Sequence, residues 1–376
     1  MIVAYSIICS IFTAGYLLLV LYFIKGWTNL KRPQINTDGY ITKVTVMVAA
    51  RNEQERIHYT IEDILAQDYP KHLTEIIIVD DHSTDRSSEI ISSYADRGVK
   101  LLQLNEAQPL NSYKKKAIAK AIGISTGDLM VATDADCRMG TKWLSSIVGY
   151  YEANDVVMIS SPVNFFEEKS LFERMQTLEF SFLIGVGAAF IGHNWASTCN
   201  GANFAYRKDV FYEVGGFTGI DELASGDDEL LLQKVAERFP GKIGFLKLRD
   251  AIVYTHAKYN LKEFLQQRRR WASKSTKYKD KKIIALTIFM WLFNMTMLVN
   301  VALGLFNIAF FKIFLFQFGL KYLVELVYLA FVCSFFKRRQ LLLLLIIVAP
   351  VHIIYLAYLA LMGTTRKYHW KGRMVK

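Results

Sequence analysis

The sequence predicts an α/β domain with a doubly wound sheet, set between apolar segments long enough to cross a membrane. Three observations carry that prediction. Short apolar runs alternate with helix-like polar stretches from about residue 43 to residue 248, the mark of βαβ units. No charged side chain occurs in residues 1–24, and long uncharged runs return after residue 282. Composition agrees: 52% hydrophobic residues with a net charge of +11 over 376 residues, and a mean hydropathy of +0.21, are unusual for a purely soluble protein.

Residues 1–24 are long enough for a span, which takes about 20 residues. A signal peptide is the rival reading, but there is no basic n-region and no small-x-small cleavage site stands out. A retained anchor is expected, with Lys25, Lys31 and Arg32 placing the next segment in the cytoplasm.

In the α/β part, residues 44–49 (VTVMVA), 75–79 (EIIIV), 99–104 and 129–132 suit buried parallel strands. Residues 53–67 and 87–96 between them read as helices. In such sheets ligands bind outside the carboxyl ends of the strands. Three polar clusters fall there: Ala50-Arg51-Asn52-Glu53, Asp80-Asp81-His82-Ser83-Thr84-Asp85, and Asp134 with Asp136. Ser83, Thr84 or Asp85 could equally cap the next helix.

Asp134 and Asp136 are two residues apart, so on an extended segment both point to one side. Two carboxylates facing one hard cation suit Mg²⁺ or Mn²⁺, which usually also bind substrate phosphates. Lys114-Lys115-Lys116 opens a helix-like stretch over 114–122, either a solvated face or a diphosphate contact. Neither G-x-G-x-x-G nor a Walker-type loop occurs, so a dinucleotide fold or P-loop is unsupported. The four cysteines form no C-x-x-C pair and read as structural thiols.

Residues 180–191 (FSFLIGVGAAFI) are too short an apolar run to span, and suggest an interfacial, re-entrant or core helix behind an amphipathic lead-in over 167–179. Ser225-Gly226-Asp227-Asp228-Glu229 precedes another helix-like run. Its acids either favour a helix macrodipole or supply a general base. Residues 266–282 are the most basic stretch, as expected on the cytoplasmic side of a span. Membrane segments follow over 283–305, 313–336 and 341–362, separated by Lys312 and by Lys337-Arg338-Arg339. Lys321 and Glu325 lie inside the second at i,i+4 and can pair. One span before the domain and three after put the tail outside. The basic tail, with Arg366, Lys367, Lys371, Arg373 and Lys376, argues for inside. The basic residues cluster beside spans rather than on an aromatic-interleaved face, so no nucleic acid is expected.

With VAARNE at 48–53, VDDHSTD at 79–85, TDAD at 133–136, GDD at 226–228 and QRRRW at 267–271, the chain resembles the membrane-bound glycosyltransferases of family 2. That group includes polysaccharide synthases and ceramide and carotenoid glycosyltransferases. The resemblance covers residues of about 43–275, and the tail HWKGR at 369–373 is similar to carotenoid-type endings. It implies an α/β GT-A fold, a Rossmann-like mixed sheet in a cytoplasmic catalytic domain over 25–282. One N-terminal transmembrane helix (1–24) and about three C-terminal ones (283–363) flank it, with a basic tail over 364–376. Residues 170–192 and 260–282 are then membrane-interface helices.

The same resemblance implies site residues. Ala50, Arg51, Glu53, Asp80, Asp81, Lys114 and Asp134 would bind the nucleotide-sugar; Lys114 stands where many members have a Gly-Lys pair, with Tyr113 in place of the glycine. Asp134 and Asp136 would hold the Mg²⁺ or Mn²⁺. Asp228, with Asp227 beside it, would be the general base. Gln267, Arg270 and Trp271 match Q-x-x-R-W, at the acceptor and diphosphate end; His256 is expected to be a satisfied core histidine rather than an extra contact. The expected reaction is inverting transfer from a UDP-sugar to a membrane lipid or lipid-linked acceptor, forming a β-glycosidic bond at a bacterial inner membrane. A processive polysaccharide synthase is the alternative, disfavoured by the single N-terminal span.

Overall fold

The computed structural model describes residues 2–104, 106, 112–274, 278, 280–362, 368–370 and 373–375, with side chains as far as residue 359. The chain divides into two compact units, a helical one formed by Met1–Thr28, Lys169–Ala189 and Lys258–Arg366, and an α/β one formed by the rest.

The α/β unit is built on a seven-stranded sheet. Its strands are β1 (Val44–Ala50), β2 (Thr74–Asp80), β3 (Val99–Gln103), β4 (Leu129–Asp134), β6 (Met158–Ser160), β8 (Phe204–Arg207) and β9 (Ile243–Phe245), in the order β3-β2-β1-β4-β8-β6-β9. The first four are parallel, and β8 runs antiparallel to both β4 and β6. A short second sheet joins β5 (Arg138–Met139), β10 (Val253–Thr255) and β7 (Val163–Phe165). The central strands β1, β2 and β4 are buried along nearly their whole length, which is why they read as continuous apolar runs rather than alternating ones. Chain order reverses between β1 and β4, the switch point at which open α/β sheets bind ligands. Register brings Ala50 opposite Asp80, and Ala49 opposite Asp134, so the polar clusters share one edge.

Helices α2 (Ile57–Leu65), α3 (Ser87–Ser92), α4 (Tyr113–Ile124), α5 (Trp143–Ala153), α7 (Lys208–Glu213) and α8 (Glu229–Arg238) complete the unit. The predicted helix over 53–67 is shorter, because Glu53 opens a turn that accepts from the Arg56 and Ile57 amides before the helix begins. The segment before β1 is tied down by Glu152 on α5. Its carboxylate accepts from Asn36 Nδ2 (2.7 Å), the Ile41 and Thr42 amides (3.0 Å each) and Thr42 Oγ1 (2.7 Å). Gly149, one turn earlier, lets this backbone approach: an added Cβ would lie 2.3 Å from the Asn36 carbonyl oxygen.

The helical unit contains α1 (Ile2–Asn29), α6 (Leu171–Gly192, as far as Ala189), α9 (Leu261–Ser273), α10 (Lys281–Gly304), α11 (Ile308–Phe335) and α12 (Leu345–Met362), the last preceded by a 3₁₀ turn over Arg339–Leu344. Among the described residues, five helices are long and apolar enough to cross a membrane: Ile2–Asn29, Leu171–Gly192, Lys281–Gly304, Ile308–Phe335 and Arg339–Leu359. On α1 the buried positions Cys9, Thr13, Tyr16, Val20, Phe23 and Trp27 recur every three or four residues, while Ile7, Ile8, Ile11, Leu18 and Leu21 are exposed. That is one packed stripe and one outward apolar face.

Several expectations need correction. The first helix runs past residue 24 to Asn29, carrying Lys25 within it. Residues 180–191 are only the second half of the 22-residue α6, long enough to span by length, although most of its apolar window is buried inside the protein. Polar side chains in the lead-in fit the helix because they are satisfied within the unit: Gln176 Nε2 donates to the Lys258 carbonyl (2.8 Å). Lys312 does not separate spans. It lies within α11, and the break falls at Asn307, whose side chain caps that helix by accepting from the Ala309 amide (2.9 Å). Residues 275–277 and 279 of the basic stretch, and Arg366, Lys367, Lys371, Gly372 and Lys376 of the tail, lie outside the described residues. The rest of the tail pairs as two short antiparallel strands, β11 (Tyr368–Trp370) and β12 (Arg373–Val375).

Candidate active site

The first two polar clusters are stitched into one wall. The Asp81 amide donates to the Ala50 carbonyl (2.8 Å), and Arg51 Nη1 donates to the carbonyls of Asp81 (2.8 Å) and His82 (2.7 Å). Asn52 Oδ1 accepts from the Thr84 amide (2.8 Å), and the Gln54 amide donates to Asp85 Oδ2 (3.1 Å). The Glu53 amide donates to Ser87 Oγ (2.7 Å). Asn52 and His82 adopt left-handed φ values of 50° and 53°, a conformation several-fold enriched in Asn, Asp and His among non-glycine residues. Arg51 and the Glu53 amide therefore build the loops. Asp80 and Asp81 are both buried; Asp80 Oδ1 has no hydrogen-bond donor among the described residues, and Asp81 Oδ1 contacts His82 Nδ1 at 3.1 Å. Asp85 does help start α3, its Oδ1 accepting from the Ser87 amide (3.0 Å).

Asp134 is the last residue of β4 and Asp136 lies in the turn beyond it. This turn is held by one face of α2. Thr60 Oγ1 lies 2.9 Å from the Ala135 carbonyl and 2.8 Å from that of Cys137. Asp63 takes Arg138 at both oxygens (2.6 and 3.0 Å) and the Met139 amide (3.0 Å). Gln67 donates to the Gly140 carbonyl (2.9 Å) and accepts from the Leu144 amide (2.8 Å). Sequence reasoning missed these three residues. Their signal was Thr60 and Asp63, polar side chains at i and i+3 on the otherwise apolar side of α2, with Gln67 just past its end. Burial, reinforced by the charges of Asp136 and Asp134, pushes the intervening Cys137 thiol well up, which keeps it inert.

The charge run at the start of α4 is neither uniformly solvated nor uniform in direction. Lys114 Nζ reaches Asp134 Oδ1 (2.7 Å) and Asp227 Oδ2 (3.1 Å). Burial alone would lower its pKa, but Asp134, Asp227 and Asp228 outweigh that and hold it above the usual lysine value. Lys115 is 1% exposed and Lys116 is exposed. Asp228 caps α8: Oδ1 accepts from the Glu229 amide (2.6 Å) and Oδ2 from the Gly201 amide (2.9 Å). The helix-terminus reading of this acid is thus correct as a description of its hydrogen bonds. The buried Tyr206 on β8 has its hydroxyl pushed well up by burial and by Asp227. The α/β unit therefore brings Ala50, Arg51, Glu53, Asp80 and Asp81 into one wall, and Lys114, Asp134, Asp227 and Asp228 into one charged cluster. Asp136 is near Arg56, at 3.8 Å. His256 is half-buried and packs its ring against Phe166, centroids 4.6 Å apart.

The Q-x-x-R-W residues belong to the helical unit, on α9. There Arg268, which the motif skips, is the buried arginine. Its Nε and Nη2 donate to the two oxygens of Glu179 on α6 (3.2 and 2.6 Å), and Nη1 donates to Gln267 Oε1 (2.9 Å). Its guanidinium lies over the rings of Trp271 (4.2 Å) and Phe264 (4.6 Å). Trp271 also packs near Phe180, centroids 5.9 Å apart. Arg270 is half-buried.

A mixed sheet with its switch point between β1 and β4, and acids at the ends of β2 and β4, defines a GT-A fold. The likeness extends to a solved mannosyltransferase from Pyrobaculum calidifontis, in complex with GDP-Man and Mn²⁺, with a TM-score of 0.57 and 18% identity over 96% of each chain. At that identity the likeness is one of fold. Residues 45–215 match the family model Glycosyl transferase family 2, and this chain carries that domain. It is 27% identical over 258 residues to a probable glycosyltransferase, YdaM, of Bacillus subtilis, covering 65% of this chain and 58% of that protein. It is 26% identical over 123 residues to a beta-monoglucosyldiacylglycerol synthase of a Nostoc species, covering 33% of this chain and 26% of that one. The chain spans less than three fifths of the length of either relative.

Proposed function

We propose that this protein is a membrane-embedded inverting glycosyltransferase that moves a sugar from a UDP-sugar to a lipid or lipid-linked acceptor, forming a β-glycosidic bond. The observation that carries the reading is the Lys114 ammonium, shared between Asp134 at the end of β4 and Asp227 beside Asp228. Donor-side and base-side carboxylates are thereby linked at a ligand-binding sheet edge. Asp80 and Asp81 hold the uridine, in keeping with a buried Asp80 oxygen that has no donor among the described residues. Lys114, charged throughout the working pH range, contacts the diphosphate.

The donor set also fits a divalent cation. Asp134 and Asp136 offer partly exposed carboxylates, 38% and 24% exposed, and oxygen ligands alone suit Mg²⁺ or Mn²⁺. No cluster of three acidic, His or Cys ligands occurs among the described residues. Asp134 and Asp136 would hold such a cation beside substrate phosphates, as Mg²⁺ is commonly held, and its charge would offset that developing on the leaving group. Asp228 accepts the proton of the acceptor hydroxyl. The acceptor oxygen forms its bond to the anomeric carbon as the carbon–phosphate oxygen bond breaks, and UDP leaves with the electron pair. Attack from the opposite face inverts configuration. The two amides on Asp228 keep its carboxylate oriented.

A lipid acceptor is supported by five helices able to cross a membrane, and by the Nostoc relative, whose name specifies a diacylglycerol glycolipid. Gln267, Arg270 and Trp271 on α9 are assigned to the acceptor. Basic residues flanking the helices support a cytoplasmic catalytic face at a bacterial inner membrane.

The test uses the full chain in nanodiscs with Mg²⁺ or Mn²⁺, labelled UDP-sugars or GDP-mannose, and membrane lipid, followed by solvent extraction. One discrete labelled lipid from a UDP-sugar is expected. A large glycanase-sensitive product would mean a processive synthase, and transfer from GDP-mannose alone would overturn the donor. Asp228→Asn is expected to bind UDP and to lose transfer, whereas normal turnover by that variant would remove the base assignment.

A further inference from the structure

The Lys115 ammonium is buried and turned onto the backbone of a loop. At 1% exposure its Nζ donates to three carbonyls, those of Ile220 (2.6 Å), Leu223 (2.7 Å) and Ser225 (2.7 Å). A lysine has three donors and no acceptor, so three convergent carbonyls match its hydrogen-bonding capacity. Burying a charge is costly unless it is fully engaged. The carbonyls lie in the six residues leading directly into Gly226-Asp227-Asp228, where Gly226 turns the chain at φ +88°. The preceding residue, Lys114, grips Asp134 and Asp227. Successive side chains on a helix point about 100° apart. The first turn of α4 is therefore a two-armed bracket, one arm on the carboxylates and the other on the loop that delivers them.

We propose that Lys115 is a positioning residue for the catalytic loop, fixing the approach of Asp227 and Asp228 to the donor without touching the donor itself. This rests on Asp228 being the general base. Neutralising Lys115 leaves three inward-facing carbonyls unsatisfied, so loop 220–225 rearranges and carries residues 226–228 with it. The wall formed by Asp80 and Asp81 belongs to other strands and is unaffected.

The experiment compares full-length wild type with Lys115→Met, and with Lys115→Gln, which keeps two N–H donors. Three quantities are read: UDP binding, amide hydrogen exchange, and turnover of the UDP-sugar identified by the panel above. Lys115→Met is expected to speed exchange in 220–228 at least tenfold and leave that in 74–80 unchanged. Its kcat should fall ten- to a hundredfold while UDP affinity and donor KM stay within threefold, with Lys115→Gln between the two. If Lys115→Met does not fold, Lys115→Gln alone must show the same split. Unchanged kcat and exchange, or parallel loss of UDP affinity and kcat in both variants, overturns the proposal. Failure of the base assignment reads differently, since Asp228→Asn would then turn over normally whatever Lys115 does.

Discussion

Replacing Asp63 by Asn tests whether α2 is the support of the Asp134–Asp136 turn. Asp63 makes three contacts to that turn: two with Arg138 and one with the Met139 amide. The side-chain hydrogen bonds to Asp63 are also the main reason that the Arg138 pKa is raised. Asparagine keeps the shape but has only one acceptor oxygen, and it presents an N–H pair to a cation. Hydrogen bonds to charged groups contribute about 1.5–3 kcal/mol net, and Arg138 is 40% exposed, so its share is discounted for solvent screening. The local loss comes to about 2 kcal/mol. Because Met139 N–H is itself one of the bonds, its amide exchange reports the loss directly, and about 2 kcal/mol corresponds to an increase of roughly 30-fold. The assay is hydrogen exchange on the full chain in nanodiscs, resolved over residues 135–142. UDP affinity with Mn²⁺ should weaken in the same variant. Met139 exchange within threefold of wild type would refute the support role assigned to α2.

Two further outcomes follow. Burial opposes ionisation of Glu152, but its hydrogen bonds, led by that from the Thr42 side chain, hold its carboxyl below the usual 4.5. A lowered folded pKa means the clamp is complete above the unfolded value and is lost as pH falls through the folded one. Pepsin should therefore nick residues 36–42 of wild type only at pH below 4.5, and Glu152→Gln should already be nicked at 4.5. Gly201→Ala places a methyl 3.2 Å from Asp228 Cβ and 3.3 Å from its Oδ2. The Asp228 carboxylate must then shift, and transfer is expected to fall about tenfold, or about 1.4 kcal/mol in barrier, with UDP binding kept; kcat and UDP titration on the purified variant check it.

The parallel strands were legible because each is an apolar run ending in polar residues, and the sheet edge places those residues where the pattern implied. Asp134 and Asp228 could be singled out by local sequence alone. What could not be read was which neighbour each charge would find. Lys114 and Lys115 are adjacent and chemically identical, yet one meets carboxylates and the other carbonyls 105–110 positions away. Arg268 and Arg270 differ by two positions on one helix, so they point to different sides. Only α6, through Glu179, decides that Arg268 is the buried one. The apolar run over 180–191 understates α6 because the first half of the helix is polar: Glu173, Gln176 and Thr177 are buried there, while hydropathy counts them as surface.

On α11, Gln317, Lys321 and Glu325 recur every four residues along one side. Gln317 Oε1 accepts from Asn300 on α10 (2.7 Å), and its Nε2 donates to Thr13 on α1 (3.1 Å). Lys321 pairs with Glu325 (2.6 Å), which also accepts from the Tyr16 hydroxyl. This row acts as a key in a slot. Turning α11 by one residue takes Lys321 and Glu325 away from Tyr16, and sliding it by a turn, about 5.4 Å, offers Lys321 to the threonine and asparagine that now receive an amide. The polar row therefore fixes both the rotation and the height of α11 against α1 and α10, which an all-apolar interface would leave free to slip.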